Sequence, residues 1–234
     1  MGEHSGKPGG EAQPQVELPA DDGRARGGQT LPGAQPQPQD SASLTNHLLI
    51  AMPSLTDPNF SQTVALVCEH TDRGALGIVL NKPLPMRLSD VFSQMQITPS
   101  SEAIAAQPVL RGGPVQTDRG FVLHRPGGQW DHTHKVSETI QVTTSRDVLA
   151  AMARGEGPED AFIALGYAGW DSGQLEREML DNAWISVPVD ARVVFELPFA
   201  ERWSGALRLL GIDAGQQCSL SYTASTKNQG RSVI

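Results

Sequence analysis

The sequence predicts an α+β fold with a mixed sheet, and three observations support this prediction. Strand-like apolar runs and amphipathic segments are interspersed without the strict alternation that a doubly wound parallel sheet requires. Several strand-like runs precede the first helical segment. Two of these runs, residues 64–68 and 75–80, are separated by the turn sequence Asp72-Arg73-Gly74, which predicts a β-hairpin. We therefore expect one compact domain in which a partly barrel-like sheet is flanked by helices.

Short apolar runs bounded by turn residues predict the individual strands. The first run, residues 46–52, is followed at once by Pro53, which cannot donate a ladder hydrogen bond. After the hairpin, further strands are predicted at residues 139–143, 161–168 and 184–187, and the apolar runs 108–110 and 120–123 flank the turn sequence of residues 112–114.

Capping residues and helical spacing predict four helices. The expected N-caps of the first three are Ser89, Ser145, and either Asp171 or Ser172. The fourth helix carries an apolar i, i+3, i+4, i+7 stripe formed by Trp203, Ala206, Leu207 and Leu210. Gly211 follows that stripe as a helix-ending residue.

The globular body is expected to span residues 44–212. Residues 1–43 are rich in Gly, Pro, Gln and acidic residues, so they cannot bury enough apolar surface to offset their ordering entropy. We expect them to form a disordered N-terminal tail. Residues 213–234 are rich in Ser, Thr, Gln and Asn, and we expect a flexible C-terminal tail. These two segments explain the low hydrophobic fraction of the whole chain, 38%.

Charge and cysteine usage narrow the class of protein. A formal net charge of −8 disfavours nucleic acid as a direct partner, because nucleic-acid binders usually carry a basic patch. Cys68 and Cys218 are far apart, which disfavours a disulfide framework and fits a reducing compartment. The sequence has neither a signal-peptide apolar stretch nor an apolar run long enough for a membrane span. We therefore expect a cytoplasmic protein with no membrane partner.

The body of the chain resembles the AlgH/YqgE family. The resemblance covers roughly residues 44–212 and rests on segments 48–53, 57–60, 77–83, 111–115, 121–124, 166–170 and 174–176, together with Asn182, Trp184 and Trp203. Each segment is weak alone, but all of them occur in order and at suitable spacing. The resemblance implies a compact α+β fold with a mixed, partly barrel-like sheet. It implies little about chemistry, because the family is largely uncharacterised and its frequent label, transcriptional regulator, arose from regulatory phenotype.

The sequence Gly166-Tyr167-Ala168-Gly169-Trp170 leads from a predicted strand into a predicted helix, a junction that can hold a ligand against backbone N–H groups. A nucleotide cradle is disfavoured, because neither the P-loop Lys-Ser/Thr pair nor the G-x-G-x-x-G spacing is present. Gln174, Glu178 and Asn182 form a polar row on the following helix. This row has three interpretations: a binding or general-base site beside Trp170, a solvated helix face, or a set of side chains that pin the corner.

Two further turns contain candidate binding residues. Arg111, Gly112 and Gly113 could grip a carboxylate or phosphate, although the following Pro114 lacks an N–H donor and a structural turn is favoured. Asn81 and Lys82 precede Pro83 at a strand exit, where Lys82 could anchor a ligand or Asn81 could cap the turn.

The histidines and the cysteine in the body suggest chemistry only weakly. His124, His132 and His134 raise the possibility of a metal site, but the last two lie in a Gly-rich loop that is poorly suited to zinc. Cys68 and His70 would share one side of a regular strand, yet no oxyanion donors are evident, and a buried inert thiol is the default interpretation.

No complete catalytic set is recognisable, so no catalytic residue, metal or cofactor is assigned. The hypothesis favoured by the sequence is a non-enzymatic module that binds a protein or a small molecule, with a role in regulation. The candidate binding residues are Asn81, Lys82, Arg111, Gly112, Gly113, His124, Trp170, Gln174 and Glu178. Two alternatives remain: an enzyme of unknown class that uses His70, His124 or Glu178 as acid or base, and a direct DNA-binding regulator, which the acidic charge disfavours.

Overall fold

Ten strands and six α-helices follow one another along residues 43–212, the part of the chain that this computed structural model describes. The strands are β1 (His47–Ala51), β2 (Val64–Thr71), β3 (Gly74–Val79), β4 (Pro83–Arg87), β5 (Pro108–Arg111), β6 (Val115–His124), β7 (Thr133–Lys135), β8 (Gln141–Thr143), β9 (Phe162–Asp171) and β10 (Trp184–Pro188). The helices are α1 (Leu88–Gln94), α2 (Glu102–Ala105), α3 (Arg146–Arg154), α4 (Gln174–Leu180), α5 (Ala191–Phe195) and α6 (Arg202–Leu209).

All ten strands belong to one sheet, which curls into a half-barrel. Its main path runs β10-β1-β2-β3-β9-β6-β8-β7, and β5 joins β9 while β4 joins β5. Every pairing is antiparallel except that between β5 and β9, so the sheet is mixed. The predicted α+β fold is therefore confirmed, as is the hairpin formed by β2 and β3.

Strand β9 is the centre of the sheet because it has three neighbours. Its first half pairs with both β5 and β6, and its second half pairs with β3. The change of partners takes place around Gly166, which has a φ of +72°. The register between β6 and β9 shifts between Val115 and Gly120, so residues 116–119 bulge out from the sheet and are exposed.

Apolar side chains pack on both faces of the curled sheet. Leu48, Leu66, Ile78 and Leu123 lie in the largest cluster, which helix α6 covers with Ala206 and Leu207. A second cluster joins the sheet to α1 and α3 through Phe92, Val109, Val148, Met152 and Ile163. A third contains Leu175 of α4 together with Val67, Ala168, Trp170 and Trp184. Burial of these residues is the main favourable term in folding.

The structure corrects some predicted boundaries. Helix α1 begins two residues earlier than an N-cap at Ser89 would give, after Arg87, whose N–H donates to Asp90 Oδ2 at 2.7 Å. Gly173 rather than Asp171 or Ser172 is the N-cap of α4, and its φ of +69° suits glycine. Ser145 and Gly155 do flank α3 as predicted. The sequence did not predict β4, β7, α2 and α5, because each is five residues or fewer and shows little periodicity.

The two predicted tails lie almost entirely outside the described residues and stay predictions. None of the helices described between residues 43 and 212 combines the length and apolar character needed to cross a bilayer.

Candidate functional site

Asn81 and Lys82 hold the loop of residues 57–63 against the end of β3. The Asn81 side chain accepts the Val64 N–H at 3.1 Å and donates to Gln62 O at 2.8 Å. The half-buried Lys82 ammonium donates to Ser61 O at 2.7 Å. Asp57 fixes the start of the loop by accepting the Asn59 N–H at 2.8 Å. Both candidate residues are therefore engaged with backbone groups of a single loop.

Gly112, Gly113 and Gly166 allow two backbone segments to cross almost in contact. A Cβ atom on Gly112 would lie 2.1 Å from Gly166 O, and one on Gly113 would lie 2.0 Å from Tyr167 C. Real Cβ atoms do not approach this closely, so both positions require glycine. The crossing is tied by hydrogen bonds from Gly112 N to Leu165 O and from Arg111 N to Lys82 O, each 2.7 Å long.

An open cleft of about 440 Å³ lies beside this crossing. Leu84 and Met86 of β4 line it, as do Leu165 of β9, Gly113 and Pro114. The polar residues along the cleft are Arg111, Asn59 and Thr117. We refer to this space as the Arg111 cleft.

The cleft region carries the positive charges of Arg111 and, close by, Lys82. Among residues 43–212, neither Arg111 nor Lys82 forms an ion pair. Partial burial lowers the pKa of the Lys82 ammonium, and the positive charge of Arg111 lowers that pKa further. Lys82 and Arg111 are thus close enough to repel each other, which favours the binding of an anion between or beside them.

Glu178 is surrounded by hydrogen-bond donors from two buried tryptophans. Its Oε2 accepts from Trp170 Nε1 at 3.0 Å and from Trp184 Nε1 at 2.8 Å, while its Oε1 accepts from Gln174 Nε2 at 2.8 Å. Gln174 Oε1 in turn accepts the Asp171 N–H at 2.9 Å. The indole rings are only 6% and 3% exposed. Of the three interpretations of this polar row, the contacts favour the one in which Gln174 and Asn182 pin the corner, but only through Gln174. Asn182 is exposed, and its side chain forms no hydrogen bond within residues 43–212.

Phe60 connects the loop of residues 57–63 to this pair of tryptophans. Its ring stacks on Trp170 with centroids 6.5 Å apart and meets Trp184 edge-on at 5.5 Å. The two indoles are themselves edge-to-face at 5.9 Å. Such aromatic arrangements add stability beyond the burial of area. We call Phe60, Trp170 and Trp184 with Glu178 the tryptophan cluster.

His124 is fully buried and both of its ring nitrogens are occupied. Nδ1 lies 2.8 Å from Arg125 O and must donate, because a carbonyl only accepts. Nε2 therefore accepts from Thr143 Oγ1, which is 2.8 Å away. Burial lowers the pKa of this imidazole, and the bond to Arg125 opposes the change only in part. A neutral, enclosed histidine of this kind supports the sheet between β6 and β8.

His70 and Cys68 do not form a pair. The register of β2 shifts between Val67 and Glu69, so the regular side-to-side alternation on which the pairing depended is interrupted. His70 Nδ1 accepts the Leu44 N–H at 3.0 Å, which leaves Nε2–H to donate to Glu176 Oε1 at 2.7 Å. Cys68 is buried in the sheet interior, where desolvation raises the pKa of its thiol to about 12. A thiol with that pKa is almost wholly protonated at neutral pH.

The suspected metal ligands do not come together. His134 Nε2 donates to Cys68 O at 3.2 Å, whereas His124 is occupied as described above. Within residues 43–212, no three His, Cys, Asp or Glu side chains are grouped as a metal site.

The candidate residues thus fall into three separate places in the fold. Arg111 and Gly113 line the cleft, and Gly112 lies in the adjoining crossing, while Asn81 and Lys82 hold the loop of residues 57–63. Trp170, Gln174 and Glu178 lie together around the two indoles, and His124 lies inside the sheet. The sequence analysis missed the cleft residues Asn59, Leu84, Met86, Thr117 and Leu165. The alternation of β4, in which Leu84 and Met86 are less exposed than the residues beside them, was the one available signal for two of these.

Comparison with known proteins agrees with this fold. A family model described as AlgH-like matches residues 48–215. A UPF0301 protein of Thioalkalivibrio sulfidiphilus is 55% identical over 174 residues, which cover 74% of this chain and 92% of the relative. A UPF0301 protein of Methylococcus capsulatus is 52% identical over 170 residues, covering 73% of this chain and 90% of the relative.

Two solved structures are also similar. The solution structure of the AlgH protein from Pseudomonas aeruginosa matches with a TM-score of 0.65 and 41% identity, over 84% of this chain and all of that protein. The crystal structure of protein DIP2367 from Corynebacterium diphtheriae matches with a TM-score of 0.57, over 74% of this chain and 89% of that one. Because its identity is only 17%, this second structure supports the fold alone.

Proposed function

The chain belongs to the AlgH-like family, and from this premise we propose that it is a non-enzymatic binding module whose Arg111 cleft takes an anionic group. The observation that carries the proposal is the guanidinium of Arg111, exposed beside apolar walls and without an ion-pair partner among residues 43–212. Binding sites for small molecules are typically apolar clefts with a few well-placed polar groups.

Electrostatic repulsion between Arg111 and Lys82 supports an anionic ligand. Burial is the main cause of the lowered pKa of Lys82, and the positive charge of Arg111 lowers that pKa further, so the two cations raise each other's free energy in the unbound state. An anion at Arg111 would offset that repulsion and accept charge-assisted hydrogen bonds from the guanidinium. The rigid crossing of Gly112 and Gly113 with β9 keeps the Arg111 backbone in place, so little ordering entropy would be lost on binding.

The hydrogen bonds of the suspected acid and base residues support binding over catalysis. Glu178 accepts from three donors, His124 is enclosed, and both ring nitrogens of His70 are engaged. A general acid or base has to reach a substrate proton, which these contacts oppose. In the same proposal the module works in the cytoplasm, as the widely spaced cysteines favour, and serves a regulatory circuit by reporting ligand to a partner protein.

The experiment is a titration of isotope-labelled protein with sodium acetate and with inorganic phosphate, followed by backbone amide NMR at constant ionic strength. We expect saturable shifts at Arg111, Gly113, Thr117 and Leu165, and their loss in Arg111→Gln. Arg73→Gln is the matched control, because Arg73 is exposed in the β2–β3 turn. Shifts that are spread evenly over the surface, or equal affinity in Arg111→Gln, would refute the proposal.

A further inference from the structure

We infer that the natural ligand of the Arg111 cleft is a small amphipathic carboxylic acid, one carboxylate joined to an apolar body. This inference rests on the proposed function and adds the chemical class of the ligand. The cleft combines one exposed guanidinium with the side chains of Leu84, Met86 and Leu165. The carboxylate of such a ligand would pair with the guanidinium, and its apolar body would lie against the three apolar side chains.

The apolar wall is a consequence of how β4 alternates. Leu84 and Met86 are half-buried, while Pro83, Pro85 and Arg87 are exposed, so the first two lie on the side of the strand that faces the protein. They also pack against the cluster under α1 and α3, which holds the wall in place. Apolar atoms of a ligand lying against this wall would be removed from water, which is favourable in proportion to the area buried.

The charge of the site favours a monoanion. Of the residues that the structure describes, 43–212, Arg111 is the one cation that lines the cleft, and the Lys82 ammonium donates to Ser61 O instead. A carboxylate matches one guanidinium in a paired, two-bond geometry. A ligand with several negative charges would leave the extra charges beside apolar side chains and would also be repelled by a chain of net charge −8.

A peptide added to the outer edge of β4 fits the site less well. Strand addition relies on main-chain hydrogen bonds along an exposed edge. Pro83 and Pro85 have no N–H to donate, and the N–H of Arg87 already donates to Asp90. An edge blunted in this way resists pairing with a further strand. The volume of about 440 Å³ is also in the range of small-molecule sites, about 300–1,000 Å³.

The test is an NMR titration of the full-length protein with acetate, butyrate, hexanoate and octanoate, each kept below its micelle concentration. We expect all four to shift the Arg111 and Gly113 amides, with affinity rising about twofold to fourfold for each added methylene until the wall is covered. Hexylamine and hexanol should bind at least about tenfold more weakly than hexanoate, since neither offers a negative charge to Arg111.

Variants separate the two parts of the site. Met86→Gln keeps the length of the side chain but should flatten the dependence on chain length, whereas Arg111→Gln should weaken every acid alike. Met179→Gln on α4 is the matched control, because Met179 is half-buried in the cluster around Trp170 and away from the cleft. Should Met86→Gln unfold, the series of acids on the unaltered protein still decides the matter.

The outcomes are distinguishable. Equal affinity for all four acids at the cleft would overturn the amphipathic ligand while leaving the anion site of the proposed function intact. Hexylamine binding as tightly as hexanoate would overturn both the amphipathic acid and the anion site, because the cleft would then not distinguish a negative from a positive ligand. A tripeptide that binds more than about tenfold tighter than every acid would overturn the small-molecule class in favour of a protein partner.

Discussion

Asn59 and Phe60 are consecutive residues that take part in different sites. Asn59 lines the Arg111 cleft, whereas the Phe60 ring packs on Trp170 and Trp184. Both belong to the loop that Asn81 and Lys82 hold in place. If a ligand displaces this loop, the environment of the indole rings in the tryptophan cluster should therefore change, because the side chains of a close-packed core cannot move independently.

The first prediction is that ligand in the cleft perturbs two indole groups and spares a third. On addition of hexanoate, the indole N–H signals of Trp170 and Trp184 should shift in the NMR spectrum. That of Trp203, which is bonded to Ala51 O and packs against the cluster covered by α6, should stay in place as the internal control. An equal shift of Trp203 would mean a general effect of the added acid and not coupling through the loop.

The second prediction concerns the carboxylate of Glu178. Glu178→Ala should lower the free energy of unfolding by about 2–4 kcal/mol, because two largely buried indole N–H groups would lose their acceptor. Glu178→Gln keeps one acceptor oxygen and should cost less, about 1–2 kcal/mol. Urea unfolding followed by circular dichroism measures both values.

Glu138→Gln is the control for loss of a carboxylate, since the Glu138 side chain is 88% exposed in its ion pair with Lys135. The structural role of Glu178 requires that hexanoate still bind to the cleft of Glu178→Gln, with the same rise in affinity along the series of acids. If Glu178→Gln lost affinity for hexanoate without any loss of unfolding free energy, Glu178 would have to be counted as a binding residue.

The third prediction is a pH dependence that originates at His124. The pKa of this buried imidazole lies below its usual 6.5, so below that pH the unfolded chain takes up a proton that the folded protein does not. Stability should therefore fall as pH falls below about 6.5, by up to about 1.4 kcal/mol for each pH unit until the folded imidazole itself titrates.

Urea midpoints at a series of pH values would measure this loss, and His124→Asn should show a smaller one over the same range. Should that variant fail to fold, imidazole nitrogen chemical shifts of the unaltered protein give the same information. An imidazole at His124 that is already protonated at pH 6.5 would contradict the prediction.

The fourth prediction tests the backbone crossing next to the cleft. Gly113→Ala should destabilise the protein by about 2–3 kcal/mol, because the added methyl group would lie 2.0 Å from Tyr167 C and force the two segments apart. Gly127→Ala is the control, since a Cβ there has no atom within 4 Å. Thermal unfolding measures both. Equal melting temperatures for the two variants would show that the two backbone segments can move apart without loss of stability.

Several elements were predictable because their signals are local. The hairpin of β2 and β3 is visible in two apolar runs with a turn between them, and α3 is marked by Ser145 and Gly155 at its ends. Helix α1 shows where this fails: Ser89 looks like a cap, but the preceding Arg87 is already held by Asp90. Capping preferences are weak, and a contact made in the folded chain overrides them.

The candidate site was only partly predictable. Arg111, Gly112 and Gly113 are noticeable in the sequence because a charged residue beside paired glycines is uncommon in a regular element. Leu84 and Met86 are not, because an apolar residue looks the same in sequence whether it lines a cleft or a core. Their role depends on β5 and β9 bringing Arg111 and Leu165 to the same place.

The sequence by itself determined the class of the fold, the position of most strands and helices, and the family. These follow from hydrophobic periodicity and turn chemistry, which act over a few neighbouring residues. Only the tertiary structure decided which polar groups are occupied and which are available. His70 meets Glu176 across 106 residues of chain, and Glu178 receives its indole donors from two different strands. Such partnerships arise when buried polar groups satisfy one another during packing, and they left Arg111 beside an apolar cleft with no ion-pair partner within residues 43–212.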